Sequence, residues 1–411
     1  MNNIINCFLF LIIISFFSAC APFYGAVEKT KIAGEAKGFE DVYHLREVLF
    51  SKEKGITIGL ANIRNYTSIK NNKNKIVRVI DQLKKYNVNM IIFPEFSLTG
   101  YFWLGEDQKE SEACWNYMNN GVLNKHMSWL KTQVRSKLDD KLEYIIFNSI
   151  RDNPATASEP GLKKKFLNST YVIDKTFDGD TLEANEKTHI YDKTFLPGIE
   201  NIYTTTPKTD YLIITNKDES KYKYWEKIGF TTCYDMCFSE IYQEYAWVHG
   251  VQAILELASW RATGSKDYGK RTYDLECKAC ETCEWKPCTV RDLNYYGFQW
   301  NVMASDRAAT NQIWMIAANA VGWQEKGGYK FWGGSGVWTP SGIKVVEASH
   351  DMEELIVVRN LPLSQYLESE RERFNYEDDF NKVYRPIPNR WCRSSVCCSS
   401  NNCCGSFTRF E

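Results

Sequence analysis

Between Gly55 and Phe93 the chain reads strand, helix, buried strand, and that order restricts the fold more than any other feature. Gly55–Ala61 (GITIGLA) alternates and then runs apolar, as a first strand does. Ile69–Tyr86 carries Ile76, Val79, Ile80 and Leu83 at helical spacing. Val88–Phe93 is strongly apolar and is ended by Pro94-Glu95. Such a succession makes a βαβ unit and predicts an α/β fold.

Downstream, the pattern predicts a helix over Met127–Leu138 and strands over Leu142–Ser149, Asn168–Asp174 and Ile228–Thr232. A helix is expected over Ser239–His249, then a strand over Val251–Leu257. Helical spacing returns over Trp300–Asn311, and strands are expected at Ile313–Ala318, Gly333–Thr339 and Glu354–Arg359. The core therefore spans 55–360. Residues 263–297 read as an insert with little periodicity, 27–54 as a polar N-terminal extension, and 361–411 as a cysteine-rich appendage.

Net charge is −1, with 25% charged residues and no Lys/Arg cluster interleaved with aromatics. A nucleic-acid partner is not expected. Cys7–Phe17 (CFLFLIIISFF) followed by Ser18-Ala19-Cys20-Ala21 marks residues 1–26 as a signal peptide. Phe17-Ser18-Ala19-Cys20 also resembles a lipoprotein cleavage box, which would put a lipid anchor on Cys20. No other run reaches the length of a membrane span, so no transmembrane helix is expected once the signal is removed. The expected location is secreted or at the extracellular surface. The sequons at Asn65 and Asn168 are glycosylation candidates on that route.

Fourteen cysteines agree with export. Cys277, Cys280, Cys283 and Cys288 form one cluster; Cys392, Cys397, Cys398, Cys403 and Cys404 form another. An oxidising compartment favours disulfides over zinc for both, so no metal is expected, and the pairing is open. With Cys7 and Cys20 removed and Cys233 reduced, eleven cysteines remain, so at least one more is unpaired or joins another chain. Cys114 and Cys237 are the candidates.

Three reactive residues, Glu95, Lys187 and Cys233, each sit at the end of an apolar, strand-like run, and parallel strands bring their carboxyl ends to one edge. A thiol nucleophile needs a base, which a buried carboxylate supplies, and a lysine offers fixed charge to a tetrahedral oxyanion. The set performs acyl transfer with no cofactor. His189 suggests a Cys–His arrangement instead, but no orienting partner accompanies it.

FPEFSLTGY (Phe93–Tyr101), EKTHIYD (Glu186–Asp192) and GFTTCYDMCFSE (Gly229–Glu240) resemble, in order, the signature blocks of the nitrilase (carbon–nitrogen hydrolase) superfamily. RAATNQIWMIAANAVG (Arg307–Gly322) and GGSGVWTPSG (Gly333–Gly342) extend the resemblance, which covers about Gly55–Arg359. It implies a four-layer αββα sandwich and a small-molecule amide substrate. It also implies Cys233 as nucleophile, Glu95 as general base and Lys187 as oxyanion stabiliser, joined by the Tyr234 backbone N–H. Glu200 matches the supporting carboxylate. Tyr101, Trp260 and Glu256 are candidate pocket residues; Glu256 lies in a strand usually wholly apolar and fits either a pocket or an exposed edge. Cys237 stands where the motif commonly has arginine. The insert fits a lid, and a homodimer fits the family. Export and sequons liken the chain to the secreted biotinidase and vanin group, whose long second domain it lacks, so biotinyl and pantetheine amides enter only as candidates. Nitrile hydrolysis, amide acyl transfer and a non-catalytic surface-binding relative are the alternatives.

Overall fold

The computed structural model describes residues 28–32, 44–101, 112–155, 166–263, 271–278, 285–292, 295–323 and 330–384, apart from positions 199, 201–203, 206, 208–210 and 222. The first ten strands are β1 (Glu28–Ile32), β2 (His44–Leu49), β3 (Ile56–Asn62), β4 (Met90–Ile92), β5 (Tyr144–Asp152), β6 (Phe166–Ile173), β7 (Ile190–Asp192), β8 (Ile213–Thr215), β9 (Lys227–Thr232) and β10 (Ala253–Ala258). The others are β11 (Arg261–Thr263), β12 (Arg271–Lys278), β13 (Trp285–Asp292), β14 (Trp314–Asn319), β15 (Val321–Trp323), β16 (Lys330–Trp332), β17 (Gly336–Trp338), β18 (Lys344–Glu347) and β19 (Glu354–Leu361).

Two sheets form the interior, ordered β1-β2-β19-β3-β4-β5-β6-β7 and β18-β17-β14-β10-β9-β8. They face one another across a dry cluster that includes Leu60, Ile92 and Ile146 from the first and Phe230, Leu255 and Ile316 from the second. Outside the first sheet lies α1 (Ile69–Lys84), whose Ile76, Val79, Ile80 and Leu83 share a cluster with Ile91 and Ile145. Ser68 caps it by accepting from the Asn71 N–H. After α2 (Glu112–Gly121), the second sheet is covered by α3 (Ser239–Gln243) and α4 (Tyr295–Asn311), through Tyr242, Trp300, Ala304 and Ala308. Helix, sheet, sheet, helix is the αββα sandwich expected from the motifs.

Strand direction decides where the chemistry collects. β3, β4 and β5 are parallel to one another, and so are β9, β10 and β14. β6 is antiparallel to β5, and β7 antiparallel to β6. Two reversals point β7 the same way as β4 and β5, so its carboxyl end joins theirs.

The predicted helix Met127–Leu138 is present but irregular: an α-helical turn at Met127–Trp129 widens over Leu130–Val134 and tightens over Arg135–Lys137, after a tight turn at Leu123–His126. Thr132 and Ser136 hydroxyls donate to the carbonyls of Ser128 and Thr132, both at 2.7 Å. Such back-bonding competes with the helical ladder. The predicted insert contains a regular hairpin, β12 against β13 from Arg271↔Asp292 to Lys278↔Trp285. Nor does the core end at residue 360: α5 (Leu363–Arg373) begins with Leu363 inside the inter-sheet cluster, and the Trp314 indole N–H donates to the Leu363 carbonyl at 3.2 Å. A further helix, α6 (Tyr376–Tyr384), follows. The N-terminal extension contributes β1 and β2, the latter parallel to β19. Among the described residues no helix is long and apolar enough to cross a membrane.

Candidate active site

Glu95 follows β4 and is fully buried. Its Oε1 accepts from Lys193 Nζ at 2.9 Å and from Asn168 Nδ2 at 2.8 Å; its Oε2 accepts from the Ser259 N–H at 2.9 Å. The Glu95 carbonyl accepts from Asn65 Nδ2 at 2.7 Å and from the Ser259 hydroxyl at 2.9 Å. The next residue, Phe96, is left-handed at φ 53°, and its N–H is held by Asn148 Oδ1 at 2.8 Å. A bulky residue in that region stores strain, which these bonds hold in place.

Lys193 directly follows β7 and is 1% exposed. Besides Glu95 it donates to Glu200 Oε1 at 2.8 Å, while Asn168 Nδ2 reaches Glu200 Oε2 at 3.2 Å. The Lys193 N–H donates to the Asn168 carbonyl at 2.8 Å. Burial disfavours the ammonium, but Glu200 and Glu95 outweigh it and hold the Lys193 pKa well above the usual lysine value. Burial, against the pull of Lys193 and with the push of Glu95, raises Glu200 to about 7. Near neutrality the cluster therefore carries the Lys193 ammonium and a Glu200 that is titrating.

Cys233 ends β9 in a left-handed conformation, φ 52°, at the start of the tight helical turn Cys233–Cys237. Thr232 and Asp235 cap that turn reciprocally. Among the described residues Cys233 and Cys237 are free thiols. Burial, then Glu95, raises the Cys233 thiol well above its ordinary value, with Lys193 opposing and Glu200 and Glu256 adding to the rise. The resting group is the thiol, and a thiol must give its proton to a base before it can act as a nucleophile.

The lysine expected from sequence is corrected by this arrangement. Lys187 is exposed and lies three residues before β7, at the opposite end of the strand from Glu95. Lys193, just past the carboxyl end, is the lysine that meets Glu95 and Glu200. The rule that found Glu95 and Cys233, a reactive residue directly after an apolar run, also marks Lys193 after Ile190–Asp192. The signature block hid it, because EKTHIYD offers a lysine of its own. Glu200 lies where expected, but seven residues from its lysine rather than thirteen.

Other candidates divide. Tyr101 packs edge-on against Phe96 and Phe331, at 5.6 and 5.3 Å between centroids. Burial raises its phenol, with Arg261 opposing and Glu200, Glu95 and Cys233 adding to the rise, which places it beside the cluster. Trp260 turns toward α4: its indole N–H donates to the Tyr296 carbonyl at 2.7 Å and its ring meets Trp300. Glu256 is fully buried in β10, between β9 and β14, which excludes the exposed-edge reading. Its Oε2 accepts from the Thr231 and Tyr242 hydroxyls, in the layer between sheet and helix. His189 Nε2 pairs with Asp174 at 3.0 Å on the hairpin before Lys193. Tyr234, in the Cys233–Cys237 turn, is 36% exposed.

Both sequon asparagines are also corrected. Asn65 is 3% and Asn168 1% exposed, and their amide nitrogens are committed to Glu95 and, for Asn168, Glu200. A glycan on either would have to displace those bonds. Cys277 and Cys288 lie on the β12–β13 hairpin. Cys20, Cys280, Cys283, Cys392, Cys397, Cys398, Cys403, Cys404 and the signal segment lie outside the described residues. Among the described residues no His, Cys, Asp and Glu group could hold a metal ion.

The carbon–nitrogen hydrolase family model matches residues 57–270 and 288–366. The chain belongs to the carbon–nitrogen hydrolase family. The break in the match falls within the β12–β13 hairpin region. Solved structures with this fold include a carbon–nitrogen hydrolase from Helicobacter pylori, TM-score 0.58 at 17% identity, with 82% of this chain and 98% of that one covered. Nit3 of Saccharomyces cerevisiae, a branch 10 member of the nitrilase superfamily, gives 0.54 at 18%, covering 79% and 95%. The glutamine-dependent NAD+ synthetase of Acinetobacter baumannii gives 0.50 at 19%, covering 74% of this chain and 45% of the synthetase. A sequence comparison with curated proteins gave no match. This carbon–nitrogen hydrolase thus combines the family's sandwich with a buried Glu–Lys–Glu cluster beside a free cysteine.

Proposed function

We propose that this carbon–nitrogen hydrolase cleaves a linear, non-peptide amide through a thioester on Cys233. The observation that carries the reading is the Lys193 ammonium, held 2.9 Å from Glu95 and 2.8 Å from Glu200 beside a free thiol on a left-handed turn. Glu95 takes the Cys233 proton as the sulfur adds to the amide carbon. The oxyanion is stabilised by Lys193 and the Tyr234 N–H. Collapse breaks the C–N bond, and the amine leaves with the proton held by Glu95. Water, deprotonated by Glu95, then attacks the thioester and releases the acid and the Cys233 thiol.

A variant of the Nesterenkonia sp. AN1 amidase shows covalent addition of the acetamide moiety of fluoroacetamide at its active-site cysteine. That chemistry at a related fold favours an amide here. The apolar leader Cys7–Phe17 and the cysteine clusters support export, which N-terminal sequencing of the mature protein tests.

The deciding experiment follows ammonia or amine release from a panel of short amides and nitriles. Turnover should vanish in Cys233→Ala, and intact-mass measurement should trap an acyl group on Cys233. Activity surviving in Cys233→Ala would defeat the reading.

A further inference from the structure

The nucleophile and the lysine belong to different sheets. Cys233 follows β9 of the second sheet, and Lys193 follows β7, the edge strand of the first. The two sheets meet largely through apolar side chains, which fix a separation but do not set a polar angle. Something must hold the two loops in register across the pocket.

Asp235 is fully buried two residues after Cys233. Its Oδ2 accepts from the Thr232 N–H at 2.9 Å and from the Tyr191 hydroxyl at 2.7 Å; its Oδ1 accepts from the Phe195 N–H at 2.7 Å. Thr232 immediately precedes Cys233, and Tyr191 and Phe195 stand two residues to either side of Lys193. Phe195 also stacks on Phe238 at 3.7 Å between centroids, closing the same seam.

We propose that Asp235 is a positioning residue for the hydrolysis, its carboxylate fastening the Cys233 turn to the Lys193 loop so that sulfur and ammonium address one carbonyl. Two of its three donors are backbone N–H groups on different segments, one on each carboxylate oxygen, and these can only donate. Both oxygens must therefore accept, as an ionised carboxylate does. Burial, opposed by Lys193 and these hydrogen bonds, leaves Asp235 at about 6, so the ionised form prevails at neutral pH. The tie also restrains Cys233 in its strained backbone conformation. The inference rests on Glu95, Lys193 and Cys233 being the reacting set.

The test uses the full chain, with Asp235→Asn and Tyr191→Phe compared with wild type and Cys233→Ala on the amide found by the panel. Asparagine keeps the size but turns an NH2 toward a donor; phenylalanine removes one of the three bonds and no charge. Asp235→Asn should lower kcat by about tenfold to a hundredfold with KM within about threefold, as misplacement of reacting groups predicts. Iodoacetamide alkylation of Cys233, mapped by mass spectrometry, should slow in parallel. Tyr191→Phe should show the same pattern at about threefold, with an unchanged unfolding temperature. If Asp235→Asn fails to fold, Tyr191→Phe decides. Wild-type kcat in the folded variants, or a change confined to KM, overturns the positioning role while an inactive Cys233→Ala leaves the amidase reading standing. An active Cys233→Ala overturns both.

Discussion

Glu95 and Lys193 are 98 residues apart in sequence and meet at 2.9 Å, with both side chains closed to solvent. Lys193 is also shared with Glu200, so one ammonium serves two buried carboxyl groups. Removing it leaves charge that the interior cannot solvate.

Lys193→Met should therefore lower kcat at least about a hundredfold. It should also destabilise the fold by about 3–5 kcal/mol, the cost of breaking a buried pair from one side. Lys187→Ala, at an exposed turn, should leave both quantities near wild type. Steady-state rates and thermal unfolding of the two variants check the contrast, and a dead Lys187→Ala beside an active Lys193→Met would reverse the assignment.

The pH dependence has a definite sign. Glu200 is raised to about 7 in the folded state from an ordinary value of 4.5, so between these values the native protein holds a proton the unfolded chain has lost. Stability from this group is present below about pH 4.5 and declines as pH rises to 7, by at most about 1.4 kcal/mol per pH unit. Asp235, raised to about 6, adds in the same direction. Glu200→Gln should flatten the decline; chemical denaturation from pH 5 to 8 measures it, and equal slopes in the two proteins would refute it.

Asn168 joins both carboxylates through one amide nitrogen and takes its orientation from Asn148, whose Nδ2 donates to Asn168 Oδ1 at 2.8 Å. Asn168→Ala should cost about 1–3 kcal/mol and reduce kcat. Protein made in a glycosylating secretory host should carry no glycan at Asn168 or Asn65, which peptide mass mapping reads directly.

Glu256 is held well above the usual carboxylate range by burial, with Thr231 opposing, which favours its neutral form. Glu256→Gln should then be close to neutral in stability, whereas Glu256→Ala leaves the Thr231 and Tyr242 hydroxyls only their 3.0 Å bond to each other and should cost about 1–3 kcal/mol more. Because the folded value is raised, wild type should lose stability relative to Glu256→Gln as pH becomes alkaline. Unfolding midpoints at pH 6 and 9 test both statements.

Much of the frame is legible along the chain. The α1 stripe of Ile76, Val79, Ile80 and Leu83 and the apolar run at β4 appear where periodicity places them, because each is a local consequence of one buried face. Glu95 and Cys233 are legible for a related reason: each follows an apolar strand at the edge where parallel strands end. At Met127–Leu138 the helix is legible but its uneven winding is not, since hydroxyl back-bonding from Thr132 and Ser136 is not part of the hydrophobic spacing.

The sequence by itself determined the family and the αββα layering, and it singled out Cys233 and Glu95, all of which depend on local pattern or on a motif. Only the tertiary structure decided which lysine serves them, that the sequon asparagines are interior ligands of Glu95, and that Asp235 spans two sheets. Those outcomes depend on strand direction and on contacts between segments far apart in sequence. A lysine three residues before β7 and one immediately after it look alike on paper, yet they emerge at opposite ends of the same strand.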